Sequence, residues 1–109
     1  MNHPAALSLS KTMASDDFVG CVGIRRSEDH VAELKRMYIR ETHRHKGLGE
    51  ILLDLAIDLA KHLNYQKIRL DTMKTMTSAI KLYQSKGFKL IEPYRFNPDK
   101  DALFFELTL

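Results

Sequence analysis

Apolar and polar positions alternate with a period of two along the first part of the chain. Leu7 and Leu9 fall on one side of Ala6 to Lys11 and Ser8 and Ser10 on the other, which predicts a half-buried strand. Ala14-Ser15-Asp16-Asp17 has turn chemistry and Phe18 to Ile24 resumes as a more apolar strand, so the two form a hairpin. Gly20 and Gly23 mark either a bulge or close backbone approach, or flat packing against a helix. After a turn at Ser27 to His30, Val31 to Ile39 reads as a third strand. Regular alternation puts Glu33 and Lys35 on the side of Val31, Met37 and Ile39. A carboxylate among apolar neighbours lies at an exposed strand end, pairs with Lys35, or serves chemistry.

The period then changes. Leu48, Ile51, Leu52, Leu55, Leu59 and Leu63 repeat at helical spacing, while Glu50, Asp54, Asp58 and Lys61 form the opposite stripe. This predicts a broad-faced buried helix from Leu48 to Leu63, stopped at Asn64. Lys67 to Thr72 follows as a short strand, and strand, helix, strand of this length makes a right-handed crossover between parallel neighbours. Thr75 or Thr77 is placed to cap a second helix running to Lys86, with Gly87 at its end. Phe88 to Ile91 is another strand, Pro93 to Asp101 a polar loop, and Leu103 to Leu109 the last strand, alternating Leu103, Phe105 and Leu107 against Phe104, Glu106 and Thr108. The fold class is α/β (α+β): a mixed sheet, antiparallel at its start and end, with two main helices.

Between the third strand and the long helix lies Arg44-His45-Lys46-Gly47-Leu48-Gly49. Two glycines one residue apart let consecutive N–H groups converge, and the first N–H groups of a helix lack partners within it. With the helix dipole and Arg44 and Lys46 beside them, they suit a diphosphate. A tight turn with solvated basic residues fits the same six residues. The loop has neither the spacing of a P-loop nor that of a dinucleotide fingerprint.

Composition adds limits. The 109 residues make one domain, and Lys and Arg exceed Asp and Glu by only 3, concentrated between Arg36 and Lys46. A local excess favours a small anionic ligand over a nucleic-acid surface. Cys21 is the only cysteine, sits in an apolar run and reads as a small hydrophobe. No run reaches membrane-spanning length and no secretory leader is evident, which makes a cytoplasmic protein the expectation.

Two motifs together give a family resemblance. Arg44 to Gly49 matches R/Q-x-x-G-x-G/A, and Ala79-Ile80-Lys81-Leu82-Tyr83-Gln84-Ser85-Lys86-Gly87-Phe88 matches A-x-x-L-Y-x-x-x-G-F. In this order and separation they resemble the GCN5-related N-acetyltransferase (GNAT) superfamily over most of the chain. The resemblance implies a mostly antiparallel twisted sheet with a central parallel pair. It implies acetyl-CoA as cosubstrate, with its diphosphate on Arg44, His45, Lys46, Gly47, Leu48 and Gly49. The pantetheine arm would pair with the backbone of Met37, Tyr38 and Ile39 like an added strand, and the thioester would enter where the strands flanking the long helix splay apart. Tyr83 becomes the candidate proton donor to the departing thiolate. Glu33 becomes the candidate general base, with a pKa raised by partial burial.

The chain also departs from the family pattern. Met76 stands where the family often has a cofactor-contacting Asn, and the usual N-terminal strand and helices, which wall the acceptor site, are lacking. The expectation is an N-terminally truncated single GNAT-like domain, 1–109, whose acceptor site is open, supplied by another chain or incomplete, and which forms a homodimer that covers the exposed sheet or the terminal strand. Its acceptor is an amine of a small molecule or protein, with neither nucleic acid nor membrane as partner. The alternative is a catalytically impaired CoA-binding or interaction module. The loop Glu92 to Asp101, with Tyr94, Arg95 and Asn97, either borders the acceptor site or merely connects two strands.

Overall fold

The computed structural model of the chain describes residues 5–10, 18–39 and 47–109, and side chains at 21–35 and from 47 onward. Strands β1 (Ala5–Ser10), β2 (Phe18–Glu28), β3 (Val31–Ile39), β4 (Lys67–Met73), β5 (Lys89–Ile91) and β6 (Ala102–Thr108) form one six-stranded sheet ordered β1-β2-β3-β4-β6-β5. Helix α1 (Leu48–His62) joins β3 to β4, and α2 (Thr77–Ser85) joins β4 to β5. The crossover through α1 makes β3 and β4 the parallel pair, and the other described pairings are antiparallel. β2 continues past its expected end at Ile24, because Arg25 and Arg26 still pair with Glu33 and Ala32 of β3.

Both helices stop through the same main-chain device. Beyond α1, Tyr65 N–H donates to Ala60 O at 3.0 Å and Asn64 N–H to Lys61 O at 3.0 Å, with Asn64 left-handed at φ 66. Beyond α2, Phe88 N–H donates to Tyr83 O at 3.1 Å and Gly87 N–H to Gln84 O at 3.0 Å, with Gly87 at φ 99. These are Schellman endings, which need a residue that tolerates the left-handed region. Gly87 is constrained in space as well, since an added Cβ would lie 3.2 Å from Leu107 Cδ1.

Two expectations need correction. Neither Thr75 nor Thr77 caps α2: the cap position is Met76, and no side chain bonds the first turn. Backbone bonds close this turn instead, from Met76 N–H to Met73 O at 2.9 Å and from Thr77 N–H to Thr75 O at 2.9 Å. In α1 the buried stripe is Leu52, Leu53, Ala56, Ile57 and Ala60, while Ile51, Leu55 and Leu63 are exposed. Small side chains at Ala56 and Ala60 let the helix approach the sheet closely, which turns the bulkier flank outward.

The core lies between the helices and one face of the sheet. Val22, Ile24, Ala32, Leu34, Ile68, Leu70 and Phe105 from the strands meet the α1 stripe, Tyr83 of α2 and Phe88. The residues one position along on β2, β3 and β4 point to the other face, and there the chemistry changes.

Candidate active site

The parallel pair holds only over Val31 to Glu33 against Lys67 to Arg69. Beyond these residues β3 continues to Ile39 and β4 to Met73, each bonded on its other side, to β2 and to β6. Between Gly23↔Lys35 and Cys21↔Tyr38, Arg36 and Met37 stand opposite Val22 alone. An extra residue of this kind is a β-bulge, which bends its strand and raises the local twist, and here it falls just where β3 leaves β4. The edge of Leu34 to Ile39 on the β4 side therefore pairs with no strand among the described residues. An extended ligand arm can bond to such an edge.

At the far end of β3, α1 begins at Gly47, left-handed at φ 76 and ψ 6, with no side-chain cap. The first main-chain bond into this helix runs from Ile51 N–H to Gly47 O at 3.3 Å. The N–H groups of Leu48, Gly49 and Glu50 therefore have no partner within the helix and stand at the positive end of its dipole. Arg44, His45 and Lys46 lie outside the described residues, as do the side chains of Met37, Tyr38 and Ile39. Glu50 in this first turn is neutralised by Lys86, 2.7 Å away, which also reaches Asp54 at 3.1 Å and ties the end of α2 to α1.

Glu33 is the last β3 residue paired with β4, and at 1% exposure its side chain is buried on the face away from the helices. Its Oε2 accepts the Tyr94 hydroxyl at 2.7 Å and Arg95 Nε at 2.8 Å. Its Oε1 meets Arg25 Nε at 3.2 Å and Lys35 Nζ at 3.3 Å. Burial alone would raise its pKa, but the Tyr94 and Arg95 hydrogen bonds and the charges of Lys35 and Arg95 bring it down to about 2. The expected raised pKa is thus overturned: this carboxylate is held ionised by the donors around it.

Arg95 also spans the parting of the strands. One nitrogen holds Glu33 on β3, and Nη2 lies 2.7 Å from Asp71 Oδ2 on the half of β4 beyond its pairing with β3. Asn97 Nδ2 donates to the same Asp71 oxygen at 2.8 Å. Tyr94 packs edge-on against Phe104 at 5.1 Å, and the guanidinium of Arg69, paired to Glu106 at 2.7 Å, lies 5.2 Å from its ring centre. The loop between β5 and β6 is thereby tied down on the charged face.

Tyr83 lies elsewhere, on the helix side. Its ring is buried, 5.8 Å from Phe88, and its hydroxyl makes no hydrogen bond to any described residue. Burial pushes its pKa up, which keeps the phenol protonated. Tyr83 and Glu33 thus come from opposite faces of the sheet.

A glycine-initiated helix behind a bulged strand, a parted parallel pair and a buried helix tyrosine make a combination open to comparison with known proteins. The profile of the acetyltransferase (GNAT) family matches residues 2–88. The chain belongs to this family. An uncharacterized N-acetyltransferase of Schizosaccharomyces pombe is 35% identical over 92 residues, 84% of this chain and 56% of that protein. A Klebsiella pneumoniae structure described as an acyl-CoA N-acyltransferase superposes with a TM-score of 0.86 at 32% identity, over 97% of this chain and 72% of its own. A Bacillus subtilis acetyltransferase solved in complex with CoA shares the fold at a TM-score of 0.76 and 22% identity, over 89% of this chain and 73% of its own. The chain spans 37% to 64% of the length of the first curated relatives it matches.

Sequence reasoning singled out Glu33, Tyr83 and the 92–101 loop but neither Arg25 nor Asp71 as partners in the charged network. Arg25 was out of reach: a regular hairpin turning at Asp29 and His30 sets Arg26 across from Glu33, and only the irregularity between Arg26 and Glu28 brings Arg25 there. Asp71 acquires its meaning only from Arg95, which is distant in sequence.

Proposed function

We propose that this chain transfers the acetyl group of acetyl-CoA to a primary amine of a small molecule or protein. The observation that carries this reading is the gap between β3 and β4 beyond Glu33, whose β3 edge leads to the N-terminus of α1. In this reading the N–H groups at Gly47 to Gly49 hold the diphosphate, with Arg44, His45 and Lys46 alongside. The edge at Met37, Tyr38 and Ile39 carries the pantetheine arm, and a β3 N–H bonds the thioester carbonyl oxygen as it gains negative charge. The amine nitrogen bonds to the carbonyl carbon, the carbon–sulfur bond breaks, and the thiolate takes the proton of Tyr83. A buried phenol remains protonated at neutral pH and so keeps that proton available.

Glu33 serves as fixed counter-charge to Arg25, Lys35 and Arg95, and the proton shed by the amine leaves through water. Cations near the attacking nitrogen favour its neutral, nucleophilic form, so the network aids the step without a strong base. A homodimer and a cytoplasmic site belong to the same proposal. Ile51 and Leu55 of α1 are exposed, and no helix among the described residues is long and apolar enough to cross a membrane. Sedimentation as a stable monomer at micromolar concentration would count against the dimer.

The test is calorimetric titration with acetyl-CoA of the wild type, Gly47→Asn and Gly47→Asp. Asn and Asp both tolerate the left-handed region, and no described atom lies within 4 Å of a Cβ there, so the two variants differ chiefly in charge. Binding weakened about tenfold or more in Gly47→Asp relative to Gly47→Asn is expected for a phosphate at a helix N-terminus. A folded wild type that does not bind acetyl-CoA would overturn the reading. Release of free thiol with a panel of amines then tests turnover.

A further inference from the structure

The charged face holds more positive charge than its own carboxylates use. Around Glu33 and Asp71 stand Arg25, Lys35 and Arg95, three cations to two anions. Arg95 is committed, with Nε on Glu33, Nη2 on Asp71 and Nη1 within 3.4 Å of Phe96 O. Arg25 and Lys35 are not. Each touches Glu33 through one nitrogen, yet their side chains stay 51% and 32% exposed. Both nitrogens lie on the same Glu33 oxygen, at 3.2 and 3.3 Å, so they are within about 6.5 Å of each other. A carboxylate bridging two cations at the usual charge-assisted distances of about 2.8 Å fits that span.

The strand register sets the two cations beside a residue without a side chain. Gly23 stands opposite Lys35 and Arg25 opposite Glu33, while Ile24 and Leu34 between them point into the core on the helix side. Gly23 therefore shares the outer face with Arg25 and Lys35 and contributes no side chain between these two half-used cations. Lys35 lies on the segment of β3 that has already parted from β4, beside the gap assigned to the thioester.

We propose that the face over Gly23 forms a recess, rimmed by Arg25 and Lys35, that binds the carboxylate of the acceptor, so that the substrate class is a small amine that carries a carboxylate. This rests on the acetyltransferase reading above and adds the acceptor's chemistry to it. The carboxylate occupies the cation pair and directs the amino group toward the gap, where the same positive field holds the amine neutral. An acceptor with a second positive charge is repelled at this place.

The test compares acceptors matched except for the carboxylate: L-phenylalanine with L-phenylalaninamide, and L-aspartate with L-asparagine. Wild type, Arg25→Ala, Lys35→Ala and the distant charge control Lys61→Ala are assayed for acetyl transfer and, separately, for calorimetric binding of each acceptor in the presence of CoA. The expected result is at least tenfold tighter binding and higher kcat/KM for a carboxylated member. Either Arg25→Ala or Lys35→Ala erases that preference through KM, and Lys61→Ala leaves it intact. Turnover of amides and carboxylates alike, or equal losses on both in the variants, overturns the recess as a carboxylate site while the acetyltransferase reading stands. Carboxylate binding that depends on Arg25 and Lys35 without turnover upholds the recess and removes the enzyme reading. Absence of carboxylate-dependent binding in a folded protein that binds acetyl-CoA overturns the proposal outright.

Discussion

On the helix side of the sheet, Val22, Ile24, Ala32, Leu34, Ile68, Leu70 and Phe105 form a dry layer with no charge. On the other side the same strands, read one residue along, present Arg25, Glu33, Lys35, Arg69, Asp71 and Glu106 in linked ion pairs. Strand alternation is what lets one sheet carry both. The apolar face gains from area removed from water and is indifferent to the detailed chemistry of its neighbours. The charged face gains little net stability from its partly exposed pairs, since hydration lost on pairing offsets much of the attraction. Apart from the buried Glu33, these pairs return little energy, which makes this surface the place to look for function.

The largest test of this contrast compares deletions on the two faces. Phe105→Ala empties a fully buried site and is expected to cost about 3–5 kcal/mol in denaturant unfolding. Arg25→Ala removes a half-exposed partner and should change stability by roughly 1 kcal/mol or less. Equal losses from the two variants would break the division between a structural and a functional face.

Acid unfolding comes next. The Glu33 carboxyl is held at about 2 against an ordinary 4.5, so its contribution is fully present above the ordinary value and is lost as the pH falls toward 2. By linkage a depression of this size corresponds to about 3 kcal/mol. Stability of the wild type should fall steeply across that window, and Glu33→Gln, already destabilised at neutral pH, should show a shallower fall. Parallel pH profiles for the two proteins would show that Glu33 is not the group held ionised.

The helix face was the more legible of the two in the sequence. Period two in β6 and helical spacing in α1 located the elements, and the crossover rule fixed β3 beside β4, because each follows from local pattern and chain connectivity. The choice of Leu52, Leu53 and Ala56 over Ile51 and Leu55 as the α1 contact was not legible, since a wide apolar arc permits several rotations and packing against the sheet selects one. On the charged face the residues were visible but not their coupling. Glu33 was identified, yet the sign of its pKa shift depends on Tyr94 and Arg95, 61 and 62 positions away. No local pattern reports that distance in space.

The two candidate catalytic groups separate the faces in a further way. Tyr83→Phe keeps the buried ring against Phe88 and removes a hydroxyl that bonds no described residue, so stability should change by less than about 0.5 kcal/mol. If the hydroxyl donates the proton, kcat falls about 100-fold with acetyl-CoA affinity unchanged. Undiminished turnover by the variant would move the proton donor away from α2.

The smallest effect expected is at Asn97, where it bears most directly on the loop over the charged face. Asn97 donates to Asp71 and accepts the Asp99 N–H at 2.8 Å, so it closes a local turn while holding the loop to β4. In Asn97→Ala, Asp71 keeps Arg95 as partner, and the loss should be about 1 kcal/mol in unfolding. In Asn97→Asp the turn acceptor is retained, but a second carboxylate is set against Asp71, and the loop is pushed from the strand instead of merely released. If the loop borders the acceptor site, both variants raise KM for the amine and leave acetyl-CoA affinity unchanged, with Asn97→Asp the more severe. An equal rise for amine and acetyl-CoA would mean that the loop supports the whole gap between β3 and β4, and the separation of cofactor edge from acceptor face would have to be redrawn.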